Sequence, residues 1–300
     1  MYPTFPEFKK ISLADKIIIE SFTEKFAPYS DFNFISLYCW NTDTNTLFSF
    51  LHGNLVICMK DYTSDDTIYS FLGNNQIHET IKELLVYASQ TGTNQLSLIP
   101  HEAINNLPQD LKKYTIEEER DHFDYIYNLE ELANMNGGNY MSQRNKYKLF
   151  EKNYESELRI IDAGTQKNES EILQLCAEWK DQKIKEKKYY DESEFTAIRN
   201  YLSINFTEKN INFGLYINNK LVGFSFFEVT NNDYCVFHFE KTNHSLRGIT
   251  EYLKKNTAQK LAERGLKFLN AEQDMGIEGL RKSKEQWNPA TFLKKYTISK

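Results

Sequence analysis

Acidic and basic side chains stand close together in one glycine-containing stretch near the C-terminal end of the chain. Glu272 and Asp274 are two residues apart at the end of a predicted strand, so both carboxylates lie on one face. Carboxylates this close tend to raise the pKa of one of them, which suits acid–base chemistry. Arg281 and Lys284 lie three apart on a predicted helix, where they could bind carboxylate or phosphate. The structural alternative is a buried carboxylate–arginine network that holds helix to strand, and the sequence leaves both open.

Another acidic residue stands near a histidine at the end of a different strand. His238 and Glu240 share one face of this strand, and Lys241 follows directly. Histidine and glutamate at a strand end are a common acid–base position, so Glu240 is a candidate to deprotonate a nucleophile. The alternative is an edge strand with a polar outer face, in which His238 is structural.

A pair of glycines leads into a polar helix in the middle of the chain. Residues 137–146 run from Gly-Gly to Arg144, Asn145 and Lys146. Free backbone N–H groups and the positive end of the helix dipole favour an anion at such a helix start. This stretch therefore predicts a site for a phosphate-bearing ligand, with a solvated helix after a flexible linker as the alternative.

The elements that must position these residues are clearest in the second half. Residues 211–217, 221–229 and 234–240 alternate in polarity, which predicts three strands joined by asparagine-rich turns. An amphipathic helix over about 247–264 follows and ends at Gly265. The remaining predicted elements are a strand at 266–271, a short helix at 277–284 and a strand at 291–298.

The first half repeats this order of elements. The predicted strands are 47–51, 55–60, 68–72, 95–99 and 122–128, with a helix from residue 77 to 88 between the third and the fourth. The sequence therefore predicts an α+β protein built as a tandem duplication, each unit a mixed, mostly antiparallel sheet flanked by helices. We expect domains at residues 1–135 and 136–300, the second carrying the site. Coincidence among common hairpin patterns is the alternative.

Composition limits the function classes. A net charge of −6 argues against a protein-wide attraction to nucleic acid or anionic membranes, and no basic stripe with interleaved aromatic residues is visible. The four cysteines are far apart, which predicts reduced thiols and neither a disulfide framework nor a metal site. There is no signal peptide pattern and no apolar run near the roughly 20 residues of a membrane span. We therefore expect a cytoplasmic protein without stable membrane insertion.

Three stretches occur together and in this order: Gly137-Gly138…Arg144-Asn145-Lys146, His238-Phe239-Glu240-Lys241 and Asn270-x-Glu272-x-Asp274-x-Gly276-x-x-Gly279-Leu280-Arg281-x-x-Lys284. In this combination nearly the whole chain resembles the bacterial family related to the C-terminal region of phosphatidylglycerol lysyltransferases. The resemblance implies a tandem pair of GNAT (acyl-CoA N-acyltransferase) folds, akin to Fem-type aminoacyltransferases. It also implies that the connection at residues 241–248 holds the pyrophosphate of an acyl carrier. Of the usual R/Q-x-x-G-x-G/A string, only Arg247-Gly248 is present.

Two functions are consistent with these observations. In the first, the protein transfers an acyl or aminoacyl group from acyl-CoA or charged tRNA to an amine or hydroxyl, such as that of a lipid headgroup. Glu240 or Glu272 deprotonates the acceptor, and cationic residues hold the carrier phosphate or the headgroup. In the second, a non-catalytic GNAT-like protein binds an anionic metabolite or a partner in the same groove. The oligomeric state is not predicted.

Overall fold

The computed structural model describes residues 2–42, 45–61, 64, 66–105, 113–187, 190–231 and 233–300. The strands are β1 (Lys9–Lys10), β2 (Leu47–Leu51), β3 (Asn54–Lys60), β4 (Thr67–Leu72), β5 (Gln95–Pro100), β6 (Thr115–Glu118), β7 (Asp124–Asn128), β8 (Glu157–Ile160), β9 (Asn210–Ile217), β10 (Lys220–Val229), β11 (Tyr234–Thr242), β12 (Phe268–Asn270), β13 (Thr291–Leu293) and β14 (Lys295–Ser299). The α-helices are α1 (Lys16–Thr23), α2 (Phe34–Cys39), α3 (Ile77–Gln90), α4 (His101–Asn105), α5 (Leu129–Asn134), α6 (Met141–Asn153), α7 (Gln166–Lys185), α8 (Glu192–Leu202), α9 (Ile249–Ala262) and α10 (Glu278–Glu285).

Two compact units divide the chain. Unit 1 consists of Met1–Tyr125, Glu272–Arg281 and Phe292–Lys300. Unit 2 consists of Ile126–Ala271 and Lys282–Thr291. The chain therefore leaves unit 1 twice, after Tyr125 and after Arg281, and returns to it twice near its C-terminal end.

This division differs from the one expected at residues 1–135 and 136–300. The stretch that carries Glu272, Asp274 and Arg281 belongs to unit 1, although the sequence analysis assigned it to the second copy. The compact units do not test where the two copies of the repeat begin and end, so the boundary between residues 135 and 136 stays a prediction.

The sheets of unit 1 pack against one long helix. An antiparallel sheet has the strand order β1-β2-β3-β4, and a second sheet has the order β5-β14-β6. His52 and Gly53 join β2 to β3 with φ values of 50° and 80°, the left-handed geometry that a tight hairpin requires. The apolar face of α3 is buried among side chains of both sheets, including Val56, Phe71 and Leu96.

The largest sheet has seven strands in the order β13-β7-β12-β11-β10-β9-β8, of which β8 to β12 belong to unit 2. Asn218 and Asn219 close the β9–β10 hairpin with φ values of 50° and 60°. The pairing of β11 with β12 is parallel, whereas β8 to β11 form an antiparallel meander. A core that includes Phe150, Ile249 and Leu253 joins α6 and α9 to this sheet.

Both units contain three antiparallel strands, then a long helix, then another strand. The elements are β2, β3, β4, α3 and β5 in unit 1, and β9, β10, β11, α9 and β12 in unit 2. The expected α+β class and the tandem GNAT-like arrangement are confirmed. One predicted element was wrong: the single strand at 291–298 is two strands, β13 and β14, which belong to different sheets.

Candidate functional site

The loop after β12 has a costly backbone conformation. Glu272, Met275 and Gly276 have φ values of 59°, 53° and 70°. Left-handed φ costs a residue with a side chain on the order of 1 kcal/mol, so the surrounding structure must hold the loop in place. One of the contacts that stabilise the loop is a hydrogen bond of 3.1 Å from the backbone N–H of Tyr125 to the carbonyl of Glu272.

Asp274 is completely buried in this loop and saturated with donors. It accepts from Arg281 at 2.9 and 2.8 Å, from Arg120 at 3.2 Å, from the Tyr125 hydroxyl at 2.6 Å and from the Gly276 amide at 2.9 Å. Burial alone would raise the pKa of Asp274, but these hydrogen bonds outweigh it and lower the pKa below its usual value. A carboxylate held this way stays ionised and has few acceptor positions left, which fits the structural alternative for this stretch.

Arg281 is held by two carboxylates of unit 1. Besides Asp274, its guanidinium contacts Asp121 at 2.6 Å. Hydrogen bonds to both carboxylates raise the pKa of Arg281 further above its ordinary value. The same loop carries Glu272, which is partly exposed and accepts from the Ser36 hydroxyl at 3.1 Å.

A buried lysine lies at the polar centre of unit 1. The fully buried Nζ of Lys295 pairs with Asp31 and, at 2.8 Å, with Asp124, which also accepts from the Ser30 hydroxyl at 2.6 Å. Burial opposes the charged form of Lys295, yet the carboxylates of Asp124 and Asp31 raise its pKa. Burial raises the pKa of Asp31, against the attraction of the Lys295 ammonium. One buried ammonium is therefore the ion-pair partner of two buried carboxylates.

Glu240 occupies a different environment, on β11 of unit 2. Ser225 is the residue opposite Glu240 on β10, and its hydroxyl donates a hydrogen bond of 3.0 Å to the Glu240 carboxylate. The Nζ of Lys254, on α9, lies 3.5 Å from the same carboxylate. The Glu240 side chain is 14% exposed. These two contacts leave acceptor positions on a carboxylate that has about four.

His238 lies two residues earlier on β11 and is buried. Its Nε2 is 3.6 Å from a Glu228 carboxylate oxygen, and its ring lies against Tyr201. The β10–β11 register shifts beside it, between Phe226 and Phe227. His238 therefore contacts Glu228, whereas Glu240 contacts Ser225 and Lys254, and the predicted catalytic role of His238 stays a prediction.

Lys241 and Lys284, two predicted anion-binding residues, have partners within unit 2. Lys241 is buried, forms an ion pair of 2.6 Å with Glu194 and lies 3.9 Å from the centre of the Trp179 ring. Lys284 donates to the backbone carbonyl of Ala271. Lys284 and Arg281 belong to different units, so their spacing on α10 did not reveal how each is used.

The start of α9 is where the resemblance placed a carrier pyrophosphate. Gly248 has a φ of 89°, and a Cβ there would lie 2.1 Å from the carbonyl oxygen of Lys146 on α6. Glu251, in the first turn of α9, is buried and pairs with the Lys146 Nζ at 2.9 Å. The adjoining Arg247 is exposed. The helix start is therefore covered by α6 and carries a carboxylate of its own.

The equivalent connection in unit 1 is filled by Asn54. Its side chain accepts from the Asn75 amide at 3.1 Å and donates to the Asn75 carbonyl at 2.7 Å. A Cβ on Gly73, which has a φ of 147°, would lie 2.1 Å from the Asn54 Oδ1. Backbone groups of this loop are thus already used by a buried side chain.

Gly137, in the glycine pair before α6, is contacted by Arg144, one of the residues that were expected to bind an anion. Arg144 donates to the carbonyl oxygens of Met135 and, at 2.6 Å, of Gly137. Asn145 is exposed, and Lys146 is engaged with Glu251. The anion-binding roles of these residues stay predictions.

Beside the glycine pair is an open cavity of about 610 Å³. Its lining combines amides and carboxylates with the two glycines, and includes Asn128, Glu130, Glu131, Asn134, Tyr140 and Asn288. This lining is not suited to a phosphate.

Sequence reasoning missed the partners of the candidate carboxylates. Ser225 and Lys254, which hold Glu240, lie on other elements, and no local pattern connects them to it. All four cysteines are buried thiols. Within the described part of the chain, no helix combines the length and apolar character needed to cross a bilayer. Across the same residues, no group of three or more acidic, histidine or cysteine side chains is placed to hold a metal ion.

Known proteins resemble this chain over most of its length. The family model described as phosphatidylglycerol lysyltransferase, C-terminal, matches residues 23–299. No curated protein matches the sequence. A conserved protein of unknown function from Bacteroides thetaiotaomicron has a similar structure, with a TM-score of 0.80 and 27% identity over 100% of this chain and 99% of its own.

Two further solved structures share the fold at lower identity. The C-terminal domain of a putative lysylphosphatidylglycerol synthetase from Agrobacterium fabrum has a TM-score of 0.65 and 12% identity, covering 96% of this chain and 92% of its own. FemX has a TM-score of 0.58 and 11% identity, covering 97% of this chain and 96% of its own.

Proposed function

The chain belongs to the family of phosphatidylglycerol lysyltransferase C-terminal domains, and from this membership we propose that it transfers an aminoacyl group to an amine or hydroxyl acceptor. Membership confirms the resemblance inferred from the three sequence stretches. The family match over residues 23–299 is the observation that carries the proposal.

The donor in this proposal is an aminoacyl-tRNA and not an acyl-CoA. An acyl-CoA pyrophosphate would need free N–H groups at the strand-to-helix connection. In unit 2 the Lys146 carbonyl packs on Gly248 there, and the Glu251 carboxylate repels a second negative charge. In unit 1 the Asn54 side chain forms hydrogen bonds with the backbone N–H and carbonyl of Asn75 in the corresponding loop. Both observations favour a donor held elsewhere on the protein.

Glu240 is the general base of the proposed reaction. Its carboxylate is partly exposed and keeps free acceptor positions, while Ser225 and Lys254 fix its orientation. It accepts a proton from the acceptor as the acceptor nitrogen or oxygen attacks the aminoacyl ester carbonyl. The new amide or ester bond forms and the bond to the terminal ribose oxygen breaks. Glu240 then returns the proton to that oxygen, and the tRNA leaves with a free hydroxyl.

The other two acidic candidates, Glu272 and Asp274, differ in their exposure and in the number of hydrogen bonds that their carboxylates accept. Glu272, which is partly exposed beside Ser36, is the second candidate base. Asp274 has five donor contacts and is assigned here to holding the loop after β12. Arg281 is assigned to the same task, because its guanidinium is engaged by Asp274 and Asp121.

A lipid headgroup is the acceptor that family membership favours, reached by peripheral contact with a membrane. An aminoacyl-tRNA donor places the reaction in the cytoplasm, where charged tRNA is present.

A second candidate function follows from the same filled connections. A GNAT-like protein whose carrier loops are occupied by its own groups, the Lys146 carbonyl in unit 2 and the Asn54 side chain in unit 1, could bind an anionic metabolite or a partner without catalysis. The two functions differ in whether a covalent product appears.

An assay with radiolabelled aminoacyl-tRNA and vesicles that contain phosphatidylglycerol separates the two functions. We expect label from at least one charged tRNA to move into the organic phase with the purified chain. If none of a panel of charged tRNAs transfers label to total lipid extract, while an anion such as phosphate raises the melting temperature, the non-catalytic function holds.

A further inference from the structure

Helix α6 presents a row of positive charges to solvent. Arg144, Lys148 and Lys152 follow one another at intervals of four residues, which places them along one face about 6 Å apart. Lys148 and Lys152 are exposed. Among the residues that the structure describes, neither of these two lysines has an ion-pair partner, whereas Arg144 is used by the carbonyls of Met135 and Gly137.

This row is unfavourable for the helix itself. Like charges four residues apart repel one another on a helix surface. Acidic neighbours could relieve the repulsion, but Glu151 is the one carboxylate of α6, and it accepts from the Tyr147 hydroxyl at 2.7 Å. The row therefore suits a partner that brings negative charge.

Aromatic rings from two helices lie beside the lysines. Tyr147 of α6 stacks on Tyr252 of α9, with ring centres 5.3 Å apart and planes 12° from parallel. The Nζ of Lys255, also on α9, lies 5.0 Å from the centre of the Tyr147 ring. The two tyrosines are partly exposed. Because the two helices are far apart in sequence, this combination of cations and rings forms only in the folded protein.

We propose that this surface, the α6–α9 face formed by Tyr147, Lys148, Lys152, Tyr252 and Lys255, binds the phosphodiester backbone of tRNA. The inference rests on the proposed function, for which it names the surface that takes the donor. Lysines neutralise phosphates, and the partly exposed tyrosine rings offer a stacking surface to an unpaired base. The face carries three lysines. The two carboxylates of α6 and α9 are Glu151, which accepts from Tyr147, and Glu251, which is paired with Lys146, so the face is locally positive on a chain with a net charge of −6.

The composition of the face favours RNA over an anionic membrane. A membrane-binding helix inserts large apolar side chains below the headgroups. Within the described residues, α6 and α9 together expose a single large apolar side chain, that of Met141 at the start of α6. Ser142, Asn145 and Asn153 make up other exposed positions of α6, and these suit a hydrated polyanion.

Binding of deacylated bulk bacterial tRNA to the full chain tests the proposal. We expect the double variant Lys148→Glu/Lys152→Glu to bind at least ~10-fold more weakly at physiological salt, and the slope of log K against log salt to become shallower by roughly 1 to 2. The matched control is Lys10→Glu/Lys82→Glu, which changes the net charge equally at exposed positions of β1 and α3. The control should bind as the unmodified protein does.

Equal weakening by both double variants, or unchanged tRNA binding by Lys148→Glu/Lys152→Glu, would overturn the proposal. A loss of binding to phosphatidylglycerol vesicles with tRNA binding intact would assign the face to a membrane and also overturn it. Circular dichroism melting of each variant separates lost binding from lost folding. Tyr147→Ala should weaken tRNA binding further than Tyr147→Phe, which keeps the ring.

Failure of this inference is distinguishable from failure of the proposed function. If Lys148→Glu/Lys152→Glu transferred aminoacyl groups as fast as the unmodified protein at donor concentrations below saturation, the α6–α9 face would not be the tRNA-binding surface. The proposed transferase activity would still stand. Specific tRNA binding at the face without any transfer would keep the face and remove the transferase.

Discussion

Asp274 of unit 1 and Glu240 of unit 2 are both carboxylates near the end of a strand, but the protein surrounds them differently. Asp274 is fully buried and receives five hydrogen bonds, from two arginines, a tyrosine hydroxyl and a backbone amide. Glu240 is partly exposed and has contacts with Ser225 and Lys254. The two carboxylates therefore differ in how many donors surround them, a difference that their spacing from other charges in sequence does not reveal. The proposed roles, an anchor for Asp274 and a base for Glu240, rest on this difference.

The buried Lys295 extends the same contrast. It lies between Asp31 and Asp124 in unit 1, with each of these side chains at most 3% exposed. Asp274 and Lys295 of unit 1 are therefore both charged groups that are fully buried among partners. The first candidate base, Glu240, and the α6–α9 face lie in unit 2, whereas the second candidate base, Glu272, lies in unit 1.

The largest effect should come from removing the buried ammonium. Lys295→Met leaves two buried carboxylates without a cation, so we expect the free energy of unfolding to fall by about 4 kcal/mol. Urea denaturation followed by circular dichroism measures the change. The neighbouring Lys294→Met is the control, because Lys294 forms an exposed pair with Glu118 and should alter stability little. Similar midpoints for the two variants would show that Lys295 is not an anchor.

Removing the saturated carboxylate should have the next largest effect. Asp274→Ala leaves Arg281 and Arg120 without their buried acceptor and frees the left-handed loop, which should cost about 3 kcal/mol. Asp121→Ala removes only the exposed partner of Arg281 and serves as the control. A Glu240→Ala variant that lost as much stability as Asp274→Ala would erase the contrast between the two carboxylates.

Acid should weaken the Asp274 anchor in a defined direction. The folded protein lowers the pKa of Asp274, so its contribution is fully present above the ordinary aspartate value and is lost as pH falls through the folded pKa. We therefore expect the stability difference between the unmodified chain and Asp274→Asn to be larger at pH 7 than near pH 3. Denaturation curves at both pH values measure it. A difference that grows in acid would contradict the assignment.

The smallest effect on stability should come from the candidate base. Glu240→Gln keeps the Ser225 contact and removes a partly exposed charge, so the unfolding free energy should change by less than about 1 kcal/mol. Loss of a general base should nevertheless lower aminoacyl transfer by ~10²- to 10⁴-fold. Glu272→Gln, measured in parallel, tests the second candidate. If Glu272→Gln and not Glu240→Gln abolished transfer, the assignment of the base would move to unit 1.

Local patterns in the sequence predicted much of the fold. Alternating polarity and asparagine-rich turns located β9 to β11, and the apolar spacing from Ile77 to Ala88 located α3. Turn residues such as His52-Gly53 act within a few residues of chain, so their effect is readable without tertiary contacts.

The assignment of chain segments to the two units was not predictable in this way, because it depends on contacts between residues far apart in sequence. Nothing between Glu272 and Arg281 indicates that this stretch joins unit 1, because the partners of Asp274, such as Arg120 and Tyr125, are about 150 residues away in sequence. Lys295 reads as a surface residue of a strand, since buried lysines are rare. The candidate site was predictable only in part. The sequence singled out Glu240 as a candidate base but did not reveal its neighbour Lys254, nor that Lys146 is paired with Glu251.

Transfer of label from radiolabelled aminoacyl-tRNA to phosphatidylglycerol vesicles, by the unmodified chain and by Glu240→Gln at equal folded concentration, tests the central claim most directly. The unmodified chain should produce labelled lipid from at least one charged tRNA, and Glu240→Gln should produce at least ~100-fold less. No labelled product from any charged tRNA, or equal rates for the two proteins, would contradict an aminoacyltransferase that uses Glu240 as its base.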